Sequence, residues 1–232
     1  MSLRTILILP LLALTCQTAT TAELPSEQPD HLEPLSPFHS GSYFTKVHGL
    51  LKLDAPSFLQ MIVRTSFNPE YAVRLHGPDG ETDINRTTKF LLTRATASTN
   101  IGQAAPSVIK DLRGNIIRRT EEKEVTVHFA TAELSKPLAM RVYKVWQRML
   151  ERTRKAEMDF VGKDGAFYEF RAGNTCGQTW SPREGKSPFL LVALGESLFR
   201  YCIAPRERLP EAAKAIEEKA AKLEKYLDEH PR

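Results

Sequence analysis

The chain has 232 residues, of which 41% are hydrophobic and 26% charged. This is enough apolar material to bury one core, and it excludes a disordered or fibrous protein. The formal net charge of +4 comes from 32 basic against 28 acidic residues, so the positive excess is small and spread out. Because nucleic-acid-binding proteins concentrate basic residues on one face, we expect no nucleic-acid partner.

The first 22 residues predict export. Arg4 precedes an unbroken apolar run from Ile6 to Leu14, and small and polar residues follow as far as Ala22. This order is typical of a secretory signal peptide. The run is shorter than the roughly 20 apolar residues that a membrane span needs, and no later stretch reaches that length. We therefore predict a signal peptide over residues 1–22, no transmembrane span, and a periplasmic or secreted protein.

Residues 23–40 are predicted as a disordered tether, because they combine four prolines with Ser and Glu and few aliphatic residues. An α+β domain is predicted over residues 41–205. Apolar residues alternate from Tyr43 to Leu51, which indicates a first strand. Residues 54–65 are predicted as a short helix, with Asp54 as N-cap and a proline in the first turn.

A hairpin is predicted next. Residues 71–76 alternate in polarity and end at a Gly-Pro-Asp-Gly turn, and residues 87–97 return as a second strand. Residues 98–123 are weakly patterned and are predicted as a long loop. A third strand follows, and its Val125, Val127 and Phe129 share one face.

Helices dominate the remainder. Residues 135–154 have a capping Ser135 and apolar residues at helical spacing. A hairpin with Asp164 and Gly165 in its turn comes next, and a second helix ends near Cys202. Residues 206–232 are predicted as a C-terminal amphipathic helix with a narrow apolar seam formed by Ile216, Ala220, Leu223 and Leu227.

These elements predict the α+β class: a mostly antiparallel sheet packed against two or three helices, followed by the C-terminal amphipathic helix. The narrow apolar seam of the C-terminal helix has two interpretations. The helix either lies along the edge of the domain or meets a helix of a protein partner.

The cysteines predict a disulfide. Cys16 leaves with the leader unless it is lipid-modified, and Thr15 before it is unfavourable for that modification. Cys176 and Cys202 then remain, and two thiols in an exported protein are usually oxidised. Such a bridge would contribute roughly 3–4 kcal/mol in the chain-entropy model. Two inert thiols, or a catalytic Cys176 activated by His128, are the alternatives.

A possible ligand-binding region surrounds Trp180, which lies in a polar, glycine-containing segment. Aromatic faces with a few polar groups are typical of ligand sites, and the candidate residues are Tyr168, Arg171, Gln178 and Trp180. The alternative is that Trp180 fills the end of the core beneath Pro182. No metal site and no cofactor are predicted, because no metal-ligand spacing and no phosphate-binding loop occurs in the sequence.

Two function classes follow. The first is an exported, soluble, non-catalytic binding or interaction module with an unknown envelope or extracellular partner, contacted by the C-terminal helix. No catalytic residue is assigned in this class. The alternative is a small exported hydrolase or transferase that uses the loop of Cys176 and Trp180, with carboxylates at Asp159, Asp164 or Glu169.

Four short motifs, VWQRML, DGAFYEF, GQTWSP and LVALGESLFRY, occur in this order between Val142 and Tyr201. In this half the chain resembles a loose group of exported bacterial proteins of uncharacterised activity. The resemblance implies a bacterial envelope or secreted location, and it implies no chemistry.

Overall fold

The computed structural model describes residues 28–35, 41–78, 81, 83–110, 113, 116–155 and 164–231. The helices are α1 (Ser42–Leu51), α2 (Ile101–Ala104), α3 (Lys136–Leu150), α4 (Ser187–Tyr201) and α5 (Leu209–Glu229). The strands are β1 (Leu59–Thr65), β2 (Tyr71–His76), β3 (Phe90–Ala97), β4 (Ser107–Lys110), β5 (Ile116–Thr120), β6 (Val127–Leu134), β7 (Ala166–Ala172) and β8 (Thr175–Trp180). The predicted signal peptide, Cys16, Asp159 and the first arm of the hairpin before Asp164 lie outside the described residues.

Six strands form one antiparallel sheet in the order β6-β3-β2-β1-β7-β8, and β4 pairs with β5 in a separate hairpin. One face of the large sheet is covered by α3, α4 and α5, and we call it the three-helix face. The opposite face is partly covered by α1 and α2, and we call it the α1 face. The predicted α+β class, with its antiparallel sheet and C-terminal helix, is confirmed.

The main core lies between the sheet and the three-helix layer. Trp146 of α3 is fully buried and meets Phe170 of β7 edge to face, with ring centroids 5.4 Å apart. In α4, a glycine allows close approach to the sheet, because a Cβ on Gly195 would lie 2.3 Å from the Met61 sulfur. The predicted α5 seam packs into this core beside α3 and α4, so α5 lies along the edge of the domain.

The first two predicted elements have the opposite types in the structure: the predicted strand is a helix, and the predicted helix is a strand. Residues 42–51 form a helix because Val47 and Leu51, at helical spacing, pack on the sheet. The helix ends at Lys52, which has a left-handed backbone and donates its N–H to the Gly49 and His48 carbonyls. The predicted helix over 54–65 is instead the strand β1. This strand lies in the interior of the sheet with cover on both faces, so its apolar run is nearly continuous.

The predicted long loop over residues 98–123 is also structured. Asn100 caps α2 by accepting a hydrogen bond from the Gln103 N–H, and its amide donates to the Thr65 and Asn68 carbonyls. The β4–β5 hairpin then occupies most of the remaining segment. The predicted hairpin of β2 and β3, the strand β6 and the helices α3, α4 and α5 are confirmed.

Part of the predicted tether is built into the fold. Residues 28–35 lie along β8, where Glu33 and Gln178 exchange two backbone hydrogen bonds of 2.8 and 2.7 Å. Asp30 accepts from the Ser187 N–H at 2.6 Å and from the Tyr226 hydroxyl at 2.7 Å. We call residues 28–35 the strap. The prediction of disorder is therefore wrong for the strap, because an open edge strand and the start of α4 supply partners for its backbone and polar groups.

A row of three polar side chains crosses the α1 face where β2, β3 and β6 lie side by side. The His76 Nε2 lies 2.9 Å from the Thr93 hydroxyl, which lies 2.8 Å from the Thr131 hydroxyl. The His76 Nδ1 lies 2.8 Å from the Gly77 carbonyl and therefore carries the proton. Burial, reinforced by the charge of Arg74, lowers the pKa of His76 below its ordinary value of 6.5.

Stability should therefore fall as the pH falls below about 6.5. The lowered pKa means that the unfolded chain binds a proton at His76 more readily than the folded chain does. The contribution is present above the unfolded pKa and is lost as the pH falls toward the folded value. Urea unfolding between pH 7.5 and 5 should show this slope, and a His76→Gln variant should flatten it. Equal slopes in the two proteins would contradict the assignment.

No helix in the described part of the chain is long and apolar enough to cross a membrane.

Candidate functional site

A group of polar side chains lies on the α1 face where β1, β7 and β8 run side by side. The strand register places nine side chains of this face in three rows: Gln60, Arg171 and Cys176; Ile62, Glu169 and Gln178; Arg64, Phe167 and Trp180. The five long polar residues of this grid, which we call the polar patch, are Gln60, Arg64, Glu169, Arg171 and Gln178. Four of these five are buried, and only Arg171 is partly exposed.

Glu169 is the centre of the polar patch. Its side chain is 2% exposed, and one carboxylate oxygen, Oε1, accepts from Arg171 Nε at 2.7 Å and from Arg171 Nη2 at 2.6 Å. The other oxygen, Oε2, lies 4.0 Å from Arg64 Nη2, which is too far for a hydrogen bond. Arg171 therefore neutralises Glu169 at close range, and Arg64 only approaches the pair.

Arg64 lies between two aromatic rings. Its guanidinium carbon is 4.4 Å from the ring centroid of Phe44 in α1 and 5.4 Å from that of Phe167 in β7. The side chain is only 7% exposed, and burial lowers the pKa of the guanidinium against the opposing charge of Glu169. The rings restrict access to the faces of the guanidinium, so new hydrogen bonds can form only in its plane.

The Nε and Nη2 atoms of Arg64 are buried and have no hydrogen-bond partner among the residues that the structure describes. These two atoms form one edge of the guanidinium, and we call it the Arg64 fork. Two parallel N–H groups in this geometry match the two oxygens of a carboxylate or phosphate. Gln60 Nε2 and Gln178 Oε1, in the same patch, are also buried without a partner. A cavity of about 30 Å³ lies beside Gln178, with room for one or two water molecules. The residues that line it do not include Arg64, so a ligand that reaches the Arg64 fork from this cavity must displace side chains of the patch.

The structure brings together three of the four predicted ligand-binding residues. Arg171, Gln178 and Trp180 share the α1 face. Tyr168 belongs to the opposite face, because neighbouring residues of a strand alternate in direction. It packs there against the main core, and burial together with the nearby charge of Glu196 raises its pKa.

Trp180 forms one wall of the 30 Å³ cavity together with Phe167. Its ring also closes on the turn before β7, because a Cβ on Gly165 would lie 2.7 Å from Trp180 Cζ2. Trp180 is therefore a half-buried side chain at the end of the sheet and also part of the candidate site.

Sequence reasoning missed Gln60 and Arg64, because both lie in the segment that was predicted as a helix. The segment gave only a weak signal: Gln60 and Arg64 are four residues apart, a spacing that fits one face of a strand or of a helix, and Ile62 between them removes the alternation of a strand with one polar face. Glu169 was considered only as a catalytic carboxylate. Its close pairing with Arg171 commits it to charge neutralisation.

The predicted disulfide between Cys176 and Cys202 is wrong, because both cysteines are free. Cys176 lies on the α1 face of β8, whereas Cys202 follows α4 on the three-helix face, with its sulfur 3.4 Å from the Leu92 carbonyl of β3. β3 and β8 are four strands apart, which is roughly 19 Å. A disulfide requires Cα atoms within about 7 Å of each other.

The structure also separates Cys176 from His128, the residue considered as its catalytic base. His128 lies on β6 and Cys176 on β8, and these strands are the two opposite edges of the sheet. Of the two carboxylates considered with them in the described part of the chain, Asp164 is exposed at a turn and Glu169 is paired with Arg171. Within the described ranges, the structure therefore does not bring the proposed catalytic residues together.

The two thiols should differ sharply in reactivity. Burial raises the pKa of Cys202 to about 12, so its thiolate is scarce at neutral pH, whereas Cys176 is only half-buried. A maleimide added to the native protein at pH 7 should label Cys176 and leave Cys202 unmodified until urea is added. Peptide mass mapping locates the labels, and prior reduction should not alter the pattern. A Cys176–Cys202 linked peptide would contradict this prediction.

Neither a protein-family model, nor a curated protein, nor a solved structure matches the chain. Within the described ranges, no group of three or more His, Cys, Asp and Glu side chains could hold a metal ion.

Proposed function

We propose that the chain is an exported, non-catalytic binding module and that the polar patch holds the carboxylate of a small ligand. The N-terminal sequence supports export, since its apolar run and small residues are typical of a signal peptide. The Arg64 fork supports binding, because it presents two buried donors without partners.

The main support for the proposal is the free energy lost by burying the Arg64 fork without hydrogen-bond partners. A buried donor without a partner costs about 1–3 kcal/mol, and more when it belongs to a charged group. Arg64 has two such donors on one edge. A bound carboxylate would satisfy both of them with charge-assisted hydrogen bonds, so ligand binding recovers this cost.

The charge of the patch favours a ligand with a single negative charge. Within the patch, Arg64 and Arg171 contribute two positive charges and Glu169 one negative charge, which leaves +1. Glu33 beside the cavity and Glu70 near Arg64 add negative charge around the patch. A carboxylate balances the positive charge within the patch, whereas a phosphate dianion would bring a second negative charge close to Glu169. Gln60 Nε2 and Gln178 Oε1 add one donor and one acceptor for neutral polar groups of the ligand.

A direct test uses N-acetylglycine as the probe and N-acetylglycinamide as its uncharged match. In ¹H–¹⁵N spectra of arginine side chains, N-acetylglycine should shift the Arg64 Nε–H resonance in a saturable way, and the amide should not. An Arg64→Met variant should weaken binding at least tenfold, which corresponds to about 1.4 kcal/mol. Arg200→Met is the matched control, because Arg200 is exposed at the end of α4.

Three results would overturn the proposal: no saturable shift with N-acetylglycine, equal shifts with the amide, or unchanged affinity in Arg64→Met. Inorganic phosphate is a further probe. Tighter binding of phosphate than of N-acetylglycine would reject the carboxylate assignment, because it would show that the charge of Glu169 does not select against a dianion.

A further inference from the structure

The two edges of the large sheet differ. The strap covers part of the β8 edge through the two backbone hydrogen bonds between Glu33 and Gln178. At the other edge, β6 is eight residues long and pairs only with β3 among the described strands. A long unpaired edge strand is a template for pairing with another strand.

The register shows which backbone groups of β6 point outward. Ser98 donates its N–H to the Thr126 carbonyl at 2.8 Å, just beyond the pair Ala97–Val127, so Thr126 faces β3. In an antiparallel ladder this direction alternates along the strand. The even-numbered residues from 128 to 134 therefore bond to β3. The N–H and C=O groups of Val127, Phe129, Thr131 and Glu133 point away from the sheet.

This edge has few of the features that block pairing. The strand has no proline and no lysine. Among the described residues, the one partner of its outward-facing backbone groups is the Tyr201 hydroxyl, which donates to the Glu133 carbonyl at 3.0 Å. Two of the large apolar side chains that are exposed in the described part of the chain lie close by. Phe129 of β6 is 42% exposed, and Ile203, which is 57% exposed, follows two residues after Tyr201.

We propose that β6 pairs with β6 of a second copy of this chain, antiparallel across a two-fold axis at Ala130. All four outward-facing residues then find partners: Val127 lies opposite Glu133 of the second copy, and Phe129 lies opposite Thr131. The sheet becomes a continuous twelve-stranded sheet through the dimer, twice the six strands of one copy. A two-fold axis makes this contact closed, so it forms a dimer and not a fibre.

The charges beside β6 match this register. Two charged residues flank β6 at equal distances from the axis: Glu124 lies three residues before the strand, and Lys136 is the first residue of α3. Antiparallel pairing brings the Glu124 end of one copy toward the Lys136 end of the other, and these opposite charges favour association. At the axis itself, Ala130 faces Ala130, and these small side chains permit close approach of the two strands.

Sedimentation velocity over a range of concentrations tests the dimer. The average mass of the wild-type chain should rise with concentration toward twice that of the monomer. Thr131→Pro removes an outward N–H at a position where an edge strand tolerates proline, and it should weaken association at least about tenfold. Thr131→Val is the matched control, since it removes the hydroxyl bonded to Thr93 and keeps the N–H. A wild-type chain that stays monomeric, or a dimer that Thr131→Pro leaves unchanged, would overturn the proposal.

A cysteine at the axis tests the register without relying on the proline variant. Ala130 facing Ala130 is a non-hydrogen-bonded pair, with Cα atoms about 4.5 Å apart, which is within the range for a disulfide. In a Cys16→Ser, Cys176→Ser background, Ala130→Cys should form a covalent dimer under mild oxidation. Ala132→Cys, on the same face but opposite His128, should not. Cross-linking of Ala132→Cys but not Ala130→Cys would reject this register.

The charge pair supplies an independent check. Glu124→Lys should weaken the dimer, and the double variant Glu124→Lys, Lys136→Glu should restore it. A double variant as weak as the single one would reject the proximity of Glu124 and Lys136 across the two copies.

Discussion

Replacing Trp146 with alanine should lower the free energy of unfolding by about 3–5 kcal/mol, the range for removing a large aromatic side chain from a core. Trp146 is fully buried and joins α3 to the sheet through its edge-to-face contact with Phe170. The cavity left by alanine would lie between the two layers, where neither the helix nor the strand can close it without moving. Urea unfolding followed by circular dichroism measures the loss.

Trp146→Phe is the matched control for this prediction. The indole Nε1 of Trp146 is buried without a hydrogen-bond partner, so phenylalanine removes volume but also removes an unsatisfied donor. We expect the phenylalanine variant to lose less than half of what the alanine variant loses. Similar losses in the two variants would show that the contact with Phe170 does not hold α3 on the sheet.

The second large effect is expected at Glu169. Glu169→Gln should destabilise the chain by about 3 kcal/mol, because it weakens the two hydrogen bonds from Arg171 and leaves the buried Arg64 without its nearby negative charge. Arg64→Met should lower the free energy of unfolding much less than Glu169→Gln does, since it removes a buried charge together with its unpaired donors. The double variant Arg64→Met, Glu169→Gln should recover most of the stability that Glu169→Gln loses.

Chemical denaturation of the three variants at pH 7 measures this cycle. Additive losses in the double variant would show that Glu169 and Arg64 act independently across their 4.0 Å separation. The same Arg64→Met protein serves the binding experiment, so a loss of carboxylate binding can be compared directly with its stability.

The elements that the sequence predicted correctly are those whose spacing of apolar residues fits either a helix or a strand, but not both. α3 and α5 have apolar residues at helical spacing over 15 and 21 residues, and such long patterns exclude a strand. β2 and β3 alternate clearly and are joined through a turn rich in glycine and proline. Tertiary contacts were not needed to identify any of them.

The failures at α1 and β1 have a different cause. Tyr43, Val47 and Leu51 are four residues apart, a spacing that fits both alternation in a strand and one face of a helix. β1 is covered on both faces, so its pattern lacks the alternation of a half-exposed strand. Only the position of β1 in the sheet separates the two possibilities, and strand order cannot be obtained from one sequence.

The candidate site depended on that missing strand order. Arg64 and Glu169 are 105 residues apart along the chain and become neighbours only because β7 pairs with β1. The same order separates Cys176 from both Cys202 and His128. Arg171, Gln178 and Trp180 could be grouped from the sequence because they lie close together along the chain, although their segment was predicted as a loop and contains the strand β8.

The contacts of Asp30 determine when the fold can close during synthesis. Its partners Ser187 and Tyr226 follow it by 157 and 196 residues, so Asp30 cannot complete its contacts until nearly the whole chain has been made. Contacts of such long range form slowly, because the chain entropy that they cost must be lost first. A partly synthesised chain therefore lacks these two contacts of the strap.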